Sequence, residues 1–135
     1  MKNSEKEAER WLRQAQNDLS FARLALRERY FSQVCFISQQ AAEKALKALK
    51  YSDGARIVIG HSVLELIKDI KGKHAELSTF EEIGGRLDQY YIPTRYPNGL
   101  PDGVPFEVYG KSQAEEAISA AAEILEVVDI ISKSP

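Results

Sequence analysis

Arg95 and Tyr96 stand side by side and bring the chain's most suggestive chemistry. A guanidinium can grip a phosphate with a fork of donors, and a neighbouring ring can stack on a base. Pro93 and Pro97 flank the pair and restrict the backbone that presents it. A plainer reading stands beside this one. The tyrosines would pack the segment onto the rest of the protein, and Arg95 would bond a carboxylate or a carbonyl. Lys44, Lys47 and Lys50 are spaced 3 and 3, a ridge on a helix. Such a ridge could face phosphate, or stay solvated while its stems cover apolar surface.

The remaining reactive residues are few. His61 precedes Ser62 at an expected helix start, where an imidazole can hydrogen-bond a loop carbonyl. His74 lies between Lys73 and Glu76 and is expected in water. Two histidines, one cysteine and no paired carboxylate motif give no reason to expect a metal site, and no cofactor is expected either. Cys35 beside Phe36 reads as a small packed residue. The run from Gly99 to Gly103 places Pro101 where a phosphate-cradling loop needs amide donors.

Size and composition bound the rest. The chain has 135 residues, 44% hydrophobic and 28% charged, and is expected to form one domain spanning 1–135. A net charge of -2 argues against an electrostatic grip on nucleic acid by the whole domain, though a local basic patch remains open. The first residues carry no apolar run, and no stretch approaches the roughly 18 apolar residues of a membrane span. The expectation is a cytoplasmic protein that does not enter a membrane.

The elements that must position these residues read as helices. The run from Gln39 to Lys50 is rich in Ala, Leu and Lys, which lose little freedom on entering a helix. Val34, Ile37, Ala41, Ala45 and Ala48 are spaced 3, 4, 4, 3, so they form one stripe that lets a neighbouring backbone come close. A helix from about Ser32 to Tyr51 is expected, ended by Gly54, with other helices packed around it. Before it, Ala8, Leu12, Ala15, Leu19, Ala22 and Leu26 are spaced 4, 3, 4, 3, 4. They mark a helix over about Glu5 to Arg29, widened by Trp11 and Phe21. The seam could also be a coiled coil, but no further heptads follow it. Tyr30 to Ser32 is a short link, which makes the two helices antiparallel neighbours.

Residues 55–60 resemble a strand but have no partner strand, so a loop is expected. Ser62 with Glu65 is a capping box that opens a short third helix, ended by Gly72. The same device recurs at Ser78 with Glu81, opening a fourth helix through about Tyr90. Gly84 and Gly85 should weaken or kink that helix. It recurs again at Ser112 with Glu115, opening a fifth helix to about Ser132, and at Ser4 with Glu7 in the first. The expected fold is an all-α, up-and-down bundle of about five helices. The long segment Tyr90 to Gly110 precedes the last of them, with prolines at 93, 97, 101 and 105 and tyrosines at 90, 91, 96 and 109. A loop of this length in a compact domain is often functional.

Three features together resemble the HEPN family of small helical proteins. They are Trp11, Asp18, Leu19 and Ala22 on the first helix; the run from Gln39 through Lys47 on the second; and His61-Ser62 followed by Thr94-Arg95-Tyr96-Pro97. The resemblance covers nearly the whole chain. It implies a five-helix bundle that usually dimerises and, in many prokaryotic members, pairs with a small nucleotidyltransferase. Many members are RNA-cleaving toxins; others look non-catalytic and bind nucleotides. RNA-cleaving members carry an Arg and then, after four to six residues, a His. Arg56 and His61 meet that spacing. In the family, however, the motif lies later, where this chain has Arg95 with no His behind it. The expectation is therefore a non-catalytic, dimeric nucleotide- or RNA-binding partner of a small nucleotidyltransferase, using Arg95 and Tyr96. The alternatives are a metal-independent endoribonuclease toxin using Arg56 and His61, and a purely structural dimerisation module.

Overall fold

A computed structural model of the protein describes residues 2–134, with the side chain of Lys2 left aside. Six α-helices run in the order α1 (Lys2–Arg27), α2 (Phe31–Ser52), α3 (Val63–Ile70), α4 (Glu81–Asp88), α5 (Pro105–Val108) and α6 (Lys111–Lys133). A 3-10 segment, Ala75–Phe80, leads into α4. No strand forms among the described residues, and 55–60 is an extended loop.

Helix α2 is the centre. It packs against α1 and α6 along its length and touches α3, α4 and α5. Of the expected stripe, Val34, Ala41, Ala45 and Ala48 are buried, and Ile37 is half-buried against the core. Ala45 is 0% exposed, so Ala45→Leu should overpack this seam and cost about 1–3 kcal/mol. Chemical denaturation that returns the parent midpoint would place this face outside the core.

The link between α1 and α2 is tight. The amide of Tyr30 donates to the carbonyl of Ala25, and Arg29 takes the left-handed conformation at φ 65. That is a Schellman-type stop made without glycine.

Helix starts differ from the shared-cap reading. Among the described helix starts, α3 has the serine cap, with Ser62 Oγ accepting from the Glu65 amide at 3.0 Å. Ser4 and Ser112 lie inside α1 and α6, and Ser78 lies inside the 3-10 segment, donating to the Ala75 carbonyl. Helix α6 begins instead at Gly110, whose amide donates to Gln113 Oε1. Position 4 is enclosed because α1 extends further toward the N-terminus than its apolar stripe.

Gly84 is not a weak point. A Cβ there would sit 2.9 Å from Ile67 Cδ1 and 3.3 Å from Leu64 Cα. Its lack of a side chain lets α4 lie against α3.

The expected structureless segment before the last helix is partly ordered. It holds a 3-10 turn, Pro97–Gly99, and the one-turn α5. Tyr90 and Tyr109 meet edge to face with ring centroids 5.9 Å apart and close its two ends. Gly99 passes so near Pro93 that a Cβ would lie 2.9 Å from Pro93 Cα, which folds 93–99 back on itself around Arg95 and Tyr96. Burial pushes the phenol of Tyr90 above its ordinary range and the thiol of Cys35 up to about 12. Cys35 therefore stays a protonated packing residue. Among the described residues no helix is long and apolar enough to cross a membrane, and no three or more His, Cys, Asp or Glu side chains gather as a metal site would need.

Candidate functional site

Phe36, Gln40, Glu43 and Lys47 are spaced 4, 3, 4 and share one face of α2. That face carries a polar network through the protein. Glu43 Oε2 pairs with Lys47 Nζ at 3.0 Å, with both side chains nearly out of solvent at 4% and 6% exposure. The same oxygen lies 3.3 Å from His61 Nδ1. Gln39, fully buried, donates from Nε2 to the His61 carbonyl at 2.8 Å, and Gln40 donates to Gln39 Oε1 at 2.8 Å. His61 is thus held at its backbone by Gln39 and at its ring by Glu43. Its side chain remains 60% exposed.

The outer face of the site comes from the segment after α4. The His61 ring stacks on Tyr91, with centroids 5.1 Å apart and planes 18° apart. Arg95 Nε donates to the Tyr91 carbonyl at 2.9 Å. Its guanidinium carbon lies 4.2 Å from the Phe36 ring centroid, 4.8 Å from that of Tyr91 and 5.1 Å from that of Tyr96. Three aromatic contacts and one hydrogen bond fix the group in place. Its two terminal nitrogens have no acceptor among the described residues. The result is an exposed, pre-oriented fork of donors.

Asp88 joins the two halves. Its carboxylate accepts from Ser62 Oγ at 2.6 Å, the Val63 amide at 2.7 Å and the Leu64 amide at 3.1 Å. It caps α3 from the end of α4, so His61 just before α3 is tied to Tyr91 just after α4. The α3 amides are used up in that cap.

The sequence-derived candidates land in different places. His61 and Arg95, expected to belong to rival readings, meet on one ring, Tyr91. Tyr96 is half exposed beside Arg95. Arg56 is exposed and makes no hydrogen bond or ion pair among the described residues. The lysine ridge is not a solvated ridge. Lys44 pairs with Asp18 at 2.6 Å, Lys47 is buried on Glu43, and Lys50 reaches Asp69 at 3.4 Å. For Lys44 and Lys50 the carboxylate comes from another element, which spacing along one helix does not reveal. His74 is not free in water: its Nε2 lies 3.0 Å from Asp53.

Glu43, Gln39, Tyr91, Phe36 and Asp88 were not singled out as site residues. The available signal was Gln39 and Glu43, polar residues four apart and next to the small, apolar Ala41, Ala42 and Ala45.

A model of the HEPN domain matches residues 8–131 of this chain. The chain belongs to the HEPN family. The HEPN fold is shared at length with solved structures. The Thermus thermophilus protein TT1696 is 39% identical, with a TM-score of 0.87 over 92% of this chain and 97% of that one. ST0689, described as an archaeal HEPN homologue, is 36% identical, with a TM-score of 0.78 over 94% and 98%. The Methanocaldococcus jannaschii protein named "Putative toxin MJ1304" is 29% identical over 132 residues, which cover 91% of this chain and 86% of that one. In this HEPN chain no histidine follows Arg95, and His61, ahead of α3, meets the same Tyr91 ring as Arg95.

Proposed function

We propose that this HEPN protein binds RNA or a nucleotide at the face formed by Arg95, Tyr91 and Tyr96. The observation that carries the reading is the guanidinium of Arg95, clamped by three rings and one carbonyl with its terminal donors free. A phosphate can take those donors in a bidentate pair, and the exposed ring of Tyr96 can stack on a base. Titration with labelled RNA and with nucleotides should give saturable binding that His61→Ala leaves intact. Absence of binding by both ligand classes would sink the reading.

A second reading, metal-independent RNA cleavage in a toxin, is favoured by the contact between Glu43 and His61 and by the name of the Methanocaldococcus relative. An imidazole oriented by a carboxylate can move the proton of a ribose 2′-hydroxyl, while a guanidinium beside it stabilises the charge on the phosphate. On this reading His61→Ala abolishes RNA cleavage and any growth arrest on expression, without changing binding.

Dimerisation, and partnership with a small nucleotidyltransferase, belong to the same proposal and rest on the family. Light scattering should return twice the 15.2 kDa chain mass. A monomer mass at high concentration would count decisively against the dimer.

A further inference from the structure

The outer face of α1 lies apart from the Arg95 site and has a composition of its own. Arg10, Arg13, Asn17, Ser20, Leu24 and Arg27 are spaced 3, 4, 3, 4, 3 and line its solvent side. They lie opposite the buried Ala15, Leu19 and Ala22. From Arg10 to Arg27 the helix carries four arginines, the fourth being Arg23, and one acid, Asp18. Asp18 is neutralised by Lys44 at 2.6 Å. Arg10 pairs with Glu7, but Arg13, Arg23 and Arg27 have no carboxylate partner among the described residues. In a chain of net charge -2 this is a segregated basic stripe, roughly 25 Å long by helix rise.

Two shallow, open depressions lie along the stripe and share Asn17. The first is lined by Trp11, Gln14, Lys44 and the Glu7–Arg10 pair, the second by Ser20, Phe21 and Arg27. Trp11 is occupied, stacked on Tyr51 at 5.9 Å with Lys47 Nζ 5.5 Å from its ring. Phe21 is 50% exposed and has no ring or cation partner among the described residues.

We infer that this face of α1 is a track for single-stranded RNA. Three unpaired guanidiniums would neutralise successive phosphates, Asn17 and Ser20 would bond backbone or sugar oxygens, and Phe21 would offer a stacking face. Cations that follow the backbone plus an aromatic platform are what sequence-tolerant single-strand binding requires. Free arginines favour this over a protein partner, because they leave donors in place for phosphate. The inference rests on the RNA reading above and extends it to a second surface.

The test is fluorescence anisotropy of labelled single-stranded RNA oligomers of several sequences, titrated with the whole protein at a series of salt concentrations. The triple variant Arg13→Gln/Arg23→Gln/Arg27→Gln keeps good helix formers in α1. It should bind at least roughly tenfold more weakly at low salt, for every sequence alike. The slope of log affinity against log salt should shrink by about 2, for three phosphate contacts on a single strand. Phe21→Ala should weaken binding at least roughly fivefold with the slope unchanged. A triple variant that melts like the parent and keeps its affinity and slope overturns the track. If Arg95→Ala still weakens binding in that case, the Arg95 site stands without it. A parent that binds no RNA overturns both. If the triple variant lowers the particle mass in light scattering with RNA affinity unchanged, the face is a contact between protein copies and the track is wrong.

Discussion

Glu43→Ala is expected to destabilise the protein by about 3–5 kcal/mol, the cost of leaving one partner of a buried ion pair without its counter-charge. Glu43 and Lys47 are 4% and 6% exposed, one turn apart on the central helix, with 3.0 Å between oxygen and nitrogen. Removing the carboxylate strands an ammonium whose remaining neighbour is the face of Trp11, 5.5 Å away. A cation over a ring recovers only about 0.5–2 kcal/mol. The double variant Glu43→Leu/Lys47→Met should regain most of the loss, because an apolar pair of similar size has no desolvation cost. Urea denaturation of the three proteins decides the matter. If the single variant unfolds at the parent midpoint, Lys47 escapes to water and the pair does not hold α2 in place. Glu43→Ala also releases the His61 ring, so a lowered midpoint should come with changed NMR chemical shifts of that ring.

Arg95→Ala should weaken RNA or nucleotide binding by about 1.5–3 kcal/mol, the scale of a hydrogen bond to a charged group. The side chain is already held by the Tyr91 carbonyl and by Phe36, Tyr91 and Tyr96, so little ordering cost falls on the binding step. Arg95→Lys should recover only part of the loss. An ammonium is a point charge, and it cannot bond the Tyr91 carbonyl while presenting a fork. His61→Ala made in parallel should leave affinity near that of the parent, since His61 reaches the site by stacking on Tyr91 rather than through charge. The same three ring contacts would also serve a purely structural clamp. A variant that binds like the parent but melts several degrees lower would establish the clamp and remove Arg95 from the site.

The sequence by itself determined the helices and the core. The spacings through Ala8 to Leu26 and Val34 to Ala48 are local, repeat over many turns and do not depend on what else is nearby. Their small residues on α2 carried the information that other helices approach it closely. The family resemblance came from short runs such as Gln39 to Lys47. Helix starts were less legible. A serine followed three residues later by a glutamate occurs at Ser4, Ser62, Ser78 and Ser112, yet Ser4 and Ser112 lie inside helices and Ser62 is the one that stands at the N-cap of α3 among the described helix starts. Whether such a serine lies at a helix boundary depends on how far the helix before or around it extends.

Only the tertiary structure decided the site. Glu43 and His61 are 18 residues apart, and Ser62 and Asp88 are 26 apart. No periodicity along the chain records such pairings. Lys44 and Lys47 look alike in sequence, yet one reaches Asp18 on α1 and the other is buried on Glu43 beside the Trp11 ring of the same α1. The meeting of His61 and Arg95 on Tyr91 is set by Asp88, which fastens the end of α4 to the start of α3. Backbone hydrogen bonding and apolar spacing act between neighbours in sequence and can be read there. Charge pairing and ring stacking between distant segments take effect only once the helices have packed.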